Sequence, residues 1–149
     1  MRMQSGAMAS LIRSFAWFFL VASIYDLLLG VAFFFFYRPI FDALGVAPPE
    51  DRSYLHLTAA FIAVQGLGYA LVWRNPLRNV DLVKVGAAYK AAYIGTALVY
   101  LFNGELPHNL FAWFAVFDVA FLVGFIQFLA MARGIETANR AAPPSVAHG

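Results

Sequence analysis

The chain has 149 residues, 62 % hydrophobic, 17 % aromatic and only 12 % charged, with a formal net charge of +2 and no cysteine. A soluble domain carries about 45–50 % apolar and about 25 % charged residues, so a water-exposed fold this short cannot hide so much apolar surface, whereas a bilayer can cover it. The lack of cysteine excludes disulfides, thiolate metal sites, iron–sulfur ligation and a cysteine nucleophile, and basic residues that flank apolar runs argue against a nucleic-acid partner.

Residues 1–14 form a short N-terminal segment with Arg2 and Arg13. Four apolar runs follow at about 15–37, 54–73, 82–102 and 110–132. Each approaches the ~20 residues that cross ~30 Å of hydrocarbon at ~1.5 Å per residue. They are apolar all round and lack the alternation of a barrel strand. The first run is longer than a signal peptide's apolar stretch and no small-x-small cleavage site follows it, so it reads as a retained span. Between the runs lie Arg38-Pro39, Pro48-Pro49-Glu50-Asp51-Arg52, Arg74-Asn75-Pro76 and the stretch from Asn103 to Asn109. Their Pro, Gly and Asn residues are turn formers and helix stops. Residues 133–149, with Pro143-Pro144-Ser145, read as a disordered tail. The expected fold is all-α, an antiparallel bundle of four transmembrane helices spanning 15–132.

Orientation follows from the basic residues. Arg2, Arg13, Arg74, Arg78, Lys84, Arg133 and Arg140 fall on one side, and only Arg38 and Arg52 on the other. The positive-inside rule then puts both termini in the cytoplasm. Trp17, Trp73 and Trp113, with Tyr37, Tyr54 and Tyr100, fall near span ends as an aromatic belt.

One polar residue per run lies at mid-depth: Asp26, Gln65, Lys90 and Asp118. Counting residues puts all four within roughly 5 Å of the midplane. A lone charge there costs at least ~2.5–3.5 kcal/mol, so such groups pair, line a wet cavity or lose their charge. Two acids, one base and an amide can meet that cost together, either as static glue between helices or as a ligand or proton site. Small residues beside them, such as Ala22 and Gly30, Gly68, and Gly86 and Ala97, allow close helix approach, and Ala87, Ala91 and Gly95 form a second small-residue stripe.

On the opposite side from the basic residues, His56, His108 and Glu105 are candidate metal ligands, but their spacing matches no metal motif and no metal is assigned. His148 in the tail is incidental. There is no phosphate-cradling Gly loop, His-Glu-x-x-His or nucleophile elbow. No catalytic residue is therefore assigned, and the chain reads as non-enzymatic.

The stretch Tyr25-Asp26-Leu27-Leu28-Leu29-Gly30-Val31-Ala32-Phe33, followed by Arg38-Pro39-Ile40-Phe41-Asp42-Ala43-Leu44-Gly45-Val46, resembles the opening of small bacterial DoxX-like membrane proteins. There a Gly-containing first helix leads into an amphipathic segment ending in a Leu-Gly turn. The four-span layout is similar across residues 15–132, although Tyr37-Arg38 stands where that family shows Gly-x-x-Lys. The resemblance implies association with respiratory, thiosulfate-oxidising or oxidative-stress membrane complexes, and carries over no catalytic residue. The leading expectation is a non-enzymatic accessory or assembly subunit, in contact with lipid and with copies of itself or a larger membrane complex. A second is a homodimeric small-molecule or proton-coupled binding or transport protein built on Asp26, Gln65, Lys90 and Asp118. A third is support of a redox partner through a bound quinone near Tyr25, Tyr89 or Tyr93, with no cofactor ligation by the chain itself.

Overall fold

The computed structural model describes residues 2–141, and these are helical throughout apart from short connections, with no strand. Five helices follow in order: α1 (Arg2–Phe35), α2 (Tyr37–Leu44), α3 (Arg52–Arg74), α4 (Val80–Phe102) and α5 (Asn109–Ala141). All but α2 are long and apolar enough to cross a membrane. Large apolar side chains such as Leu28, Phe61 and Ile126 stand more than half exposed along them, a surface that water would penalise and lipid would not.

Three boundaries differ from the sequence reading. The first apolar run does not continue to residue 37. A helix running through Pro39 would lose one N–H bond and press the pyrrolidine ring on the carbonyl of Phe35. The backbone breaks at Phe36 (φ −120°, ψ 23°), and α2 restarts with Pro39 in its first turn, where no N–H is needed. Residues expected as loop are thus a strongly amphipathic helix, closed by Gly45 in the left-handed conformation (φ 65°). The segment 1–14 is not separate either, since α1 runs from Arg2. At the other end, α5 extends the fourth run through residues 133–141, expected to be disordered. Glu136 and Arg140 pair one turn apart, and Thr137 Oγ1 donates to Arg133 O at 3.0 Å. The proline-bearing part of the tail, 142–149 with His148, lies outside the described residues.

Helix ends are held locally. Asp51 caps α3 by accepting from Ser53 N at 2.9 Å. Asn79 Nδ2 donates to Leu71 O and Asn75 O at 2.9 and 3.0 Å, which satisfies the last carbonyls of α3 and tightens the turn into α4.

The helices associate unevenly. α1 packs chiefly on α3, and α4 on α5. The α1–α3 seam is a backbone contact: a Cβ on Gly30 would lie 2.7 Å from Ala59 O and Ala63 N, and one on Gly66 would lie 2.8 Å from Leu27 N. Ser23 Oγ donates across the same seam to Gly66 O at 2.8 Å. Gly30→Ala is expected to cost about 1–3 kcal/mol, because backbone rather than a flexible side chain must give way. Thermal unfolding in detergent checks this, with Gly95→Ala as the near-neutral comparison, since nothing lies within 4 Å of a Cβ there.

Between α1 and α5, aromatic side chains bridge a wider gap. Phe15 meets Phe128, Phe19 meets Phe125 and Phe128, Tyr25 meets Phe121, and Phe33 meets Phe111 and Phe114, with ring centroids 5.1–6.4 Å apart. Two buried clusters result. One gathers Phe19, Tyr69, Val83, Phe125 and Phe128. The other gathers Phe33, Tyr37, Phe41 and Ala59 beneath α2.

Candidate functional site

The seams of α1 and α5 follow a three-four spacing. On α1 it runs Phe15, Phe19, Ala22, Asp26, Leu29, Phe33, and on α5 Phe111, Phe114, Asp118, Phe121, Phe125, Phe128. Such a repeat keeps one stripe facing the bundle axis. Each stripe carries one carboxylate among its apolar residues, so both carboxylates point inward. The α4 seam of Val83, Gly86, Lys90, Tyr93 and Ala97 brings one ammonium to the same level.

The three meet. Lys90 Nζ donates to Asp26 Oδ1 at 2.8 Å and Oδ2 at 3.1 Å, and lies 2.8 Å from Asp118 Oδ1. Lys90 and Asp26 are each 1 % exposed and Asp118 4 %. The two carboxylates are not equivalent. Asp26 is bound through both oxygens, whereas Asp118 meets the ammonium through Oδ1 alone. The ammonium is also enclosed by aromatic rings: Tyr25, Tyr89 and Phe121 at 5.5 Å and Tyr69 at 5.8 Å from their centroids.

Beside this triad is a cavity of about 90 Å³, lined by all four long helices. Asp26, Lys90 and Asp118 form one end, Tyr25, Tyr89 and Tyr93 line the sides, and Phe33, Leu55, Phe111 and Phe114 close the end beneath α2. A void needs only ~10–15 Å³ to admit a water, so this one has room for several waters or one compact molecule. Its walls carry few free polar atoms. Tyr93 Oη donates to Phe111 O at 3.2 Å and Thr58 Oγ1 to Tyr54 O at 2.8 Å. Tyr25 Oη is buried with no partner. Tyr25, whose Oη has no partner, and Asp118, whose Oδ1 is held by Lys90 alone, thus line one aromatic chamber.

Gln65 does not join the triad. Its amide donates weakly to Tyr69 Oη at 3.4 Å, and it does not line the cavity. The reason is rotation of α3: Ala59 and Ile62 face the chamber and Tyr69 faces Lys90, so Gln65 is at the right level, but the buried face of the helix runs through Ala59, Gly66 and Tyr69 beside it. The metal candidates also stay apart. His108 Nδ1 accepts from Leu110 N at 3.0 Å at the start of α5, and the His56 ring packs on Phe34 and Tyr37. Glu105 sits in the turn after α4, its N–H bonded to Tyr100 O at 2.9 Å. Among the described residues no three His, Cys, Asp or Glu side chains converge to hold a metal ion.

Sequence reasoning missed the chamber's closed end, Phe33, Leu55, Phe111 and Phe114. The available signal was the aromatic three-four stripe of α5, interrupted once by Asp118. A carboxylate in a line of phenylalanines removes ring volume and leaves space next to a charge. No protein-family model, curated protein or solved structure matches the chain.

Proposed function

We propose that the chain is a four-span membrane protein that binds a compact organic cation, an ammonium carrying a short apolar body, in its central chamber. The observation that carries this reading is the triad's imbalance at the chamber wall. Two carboxylates face one ammonium, both line an aromatic void, and Asp118 meets the ammonium through one oxygen where Asp26 uses two. A charge deficit buried away from water attracts a cation, and rings add their own attraction for it. A quinone suits the site less well: the free Tyr25 hydroxyl offers one carbonyl a donor, but nothing in a quinone answers the second carboxylate.

The helices run alternately across the membrane with both termini cytoplasmic. Support comes from the short α3–α4 and α4–α5 connections, from aromatic pairs that match the start of α1 with the far half of α5, and from the seven-to-two split of basic residues given above. The membrane is a bacterial inner membrane, in keeping with the likeness to DoxX-like proteins.

Thermal stabilisation of the detergent-purified protein tests the ligand class. Short primary and quaternary ammonium compounds are compared with neutral alcohols of the same shape and with a short-chain quinone. An ammonium at a hundred times its Kd is expected to stabilise by about 2.7 kcal/mol, and the neutral compounds are not. Equal stabilisation by the alcohols, or none by any ammonium, overturns the reading.

A second reading, as an accessory or self-associating subunit, has one supporting observation. In the stripe Ala87, Ala91 and Gly95, the last two are exposed on α4 and covered by no other helix among the described residues. Small exposed residues at this spacing suit a neighbouring helix. Crosslinking in native membranes through cysteines placed at Ala91 is the check, with self-association or a partner subunit as the expected product.

A further inference from the structure

A second polar cluster lies at the α2 end of the bundle. Arg38 donates from Nε to Tyr37 Oη at 3.1 Å, and Arg52 at the start of α3 donates from Nη1 to the same oxygen at 3.1 Å. Tyr37 itself is 7 % exposed, fixed by Phe33, Phe41 and the His56 ring. The phenol is therefore a rigid post holding two exposed arginines side by side. Neither arginine has a carboxylate partner among the described residues.

A neutral phenol supplies lone pairs but no charge, so two positive charges converge without compensation. Their hydrogen bonds also pull the Tyr37 hydroxyl below the ordinary tyrosine range. Each guanidinium spends one N–H on Tyr37 and keeps others with no protein acceptor among the described residues. Paired planar forks of this kind match phosphate oxygens. Depth points to the source. Arg38 follows the end of α1 at Phe35, and Arg52 opens α3, so both stand where the apolar helices stop. Lipid headgroups lie at that level. Phe35 and Phe36, next in the chain to the clamp, are 69 % and 59 % exposed and offer apolar surface to an acyl chain.

We propose that Arg38 and Arg52, held by Tyr37, form a phosphate-binding site that takes the headgroup of an anionic phospholipid. The site is separate from the central chamber, but its post packs in the same cluster as Phe33, Leu55, Phe111 and Phe114, which close that chamber. The bound lipid thus fastens α2 over the chamber's end.

Native mass spectrometry of the full-length protein in a non-ionic detergent tests this, with phosphatidylglycerol, a diacylglycerol of the same chains, and inorganic phosphate as competitor. Phosphatidylglycerol is expected to bind one to one and diacylglycerol not. Arg38→Gln with Arg52→Gln is expected to weaken phosphatidylglycerol binding about tenfold or more, and Asp118→Asn to leave it unchanged. Displacement by millimolar inorganic phosphate supports the site with the free anion as a rival source, and its failure to displace supports the lipid alone. Equal binding of diacylglycerol, no phosphatidylglycerol adduct, or full binding by the double Gln variant overturns the proposal. If the Gln variant does not fold, Arg38→Lys with Arg52→Lys keeps the charge but loses the planar forks. A several-fold loss then supports the geometry, and unchanged binding overturns it.

Discussion

Lys90→Met is expected to destabilise the protein by about 3–5 kcal/mol, the largest effect of any single substitution at the centre of the bundle. The ammonium holds three carboxylate oxygens from two helices at 2.8–3.1 Å. Methionine fits the same space yet leaves Asp26 and Asp118 facing each other without a counter-charge in a site almost closed to solvent. At about 2–4 °C per kcal/mol, the unfolding midpoint in detergent falls by on the order of 10 °C. The triple variant Asp26→Asn, Lys90→Met, Asp118→Asn removes all three charges together and is expected to recover more than half of the loss, because buried ion sets are often replaceable as a unit though not in part. A Lys90→Met protein as stable as the parent would show that the three groups do not carry opposite charges in the folded state.

The second large effect is a split between the two carboxylates. Asp118→Asn is expected to abolish ammonium stabilisation, a loss of about 2–5 kcal/mol in binding, while changing unfolding of the free protein by less than about 1 kcal/mol. Asp118 has a single contact with Lys90, through Oδ1, and a neutral amide there leaves one acid matched to one base. Asp26→Asn is expected to weaken ligand binding and fold alike, since Asp26 supplies both well-formed bonds that tie α1 to α4. Calorimetric titration with the best ammonium compound, set beside thermal unfolding of the same samples, reads both quantities. Equal effects of the two substitutions on both readouts would remove the assignment of Asp118 as the ligand-facing acid.

The four long helices were legible because hydropathy is a one-dimensional property that accumulates along a run, and Phe, Leu, Val and Ala fill these runs regardless of which neighbour each residue meets. Relative level along the helices was legible for the same reason: rise per residue is constant, and Asp26, Lys90 and Asp118, placed at one level by counting, meet in the fold. What counting leaves open is rotation and partner choice. Gln65 sits at a similar count from the ends of its own span, yet it is turned off the buried face of α3, and its amide reaches only Tyr69. Helix α2 was not legible from the residues alone because Arg38-Pro39 carries the composition of a turn, although the resemblance implied an amphipathic segment ending at Leu44-Gly45. Proline as the third residue of a helix, where its missing N–H costs nothing, suits a new first turn as well as a stop. The extension of α5 past Arg133 was hidden by the polar composition of the tail, whose Glu136–Arg140 pair is a helical spacing but a weak one. The cavity depended on side chains from all four long helices at once, which no single stretch of sequence displays.

The separation of Asp26 from Lys90 in the chain has a consequence for biogenesis. The two residues are 64 positions apart, so at about 5–20 residues per second Lys90 leaves the ribosome about 3–13 s after Asp26. During that interval the first helix holds an acid at mid-depth without its base. The insertion machinery therefore either receives α1 with Asp26 protonated or retains it beside the exit site until α4 arrives. Nascent chains arrested before and after Lys90 would differ in how readily their first helix escapes into lipid.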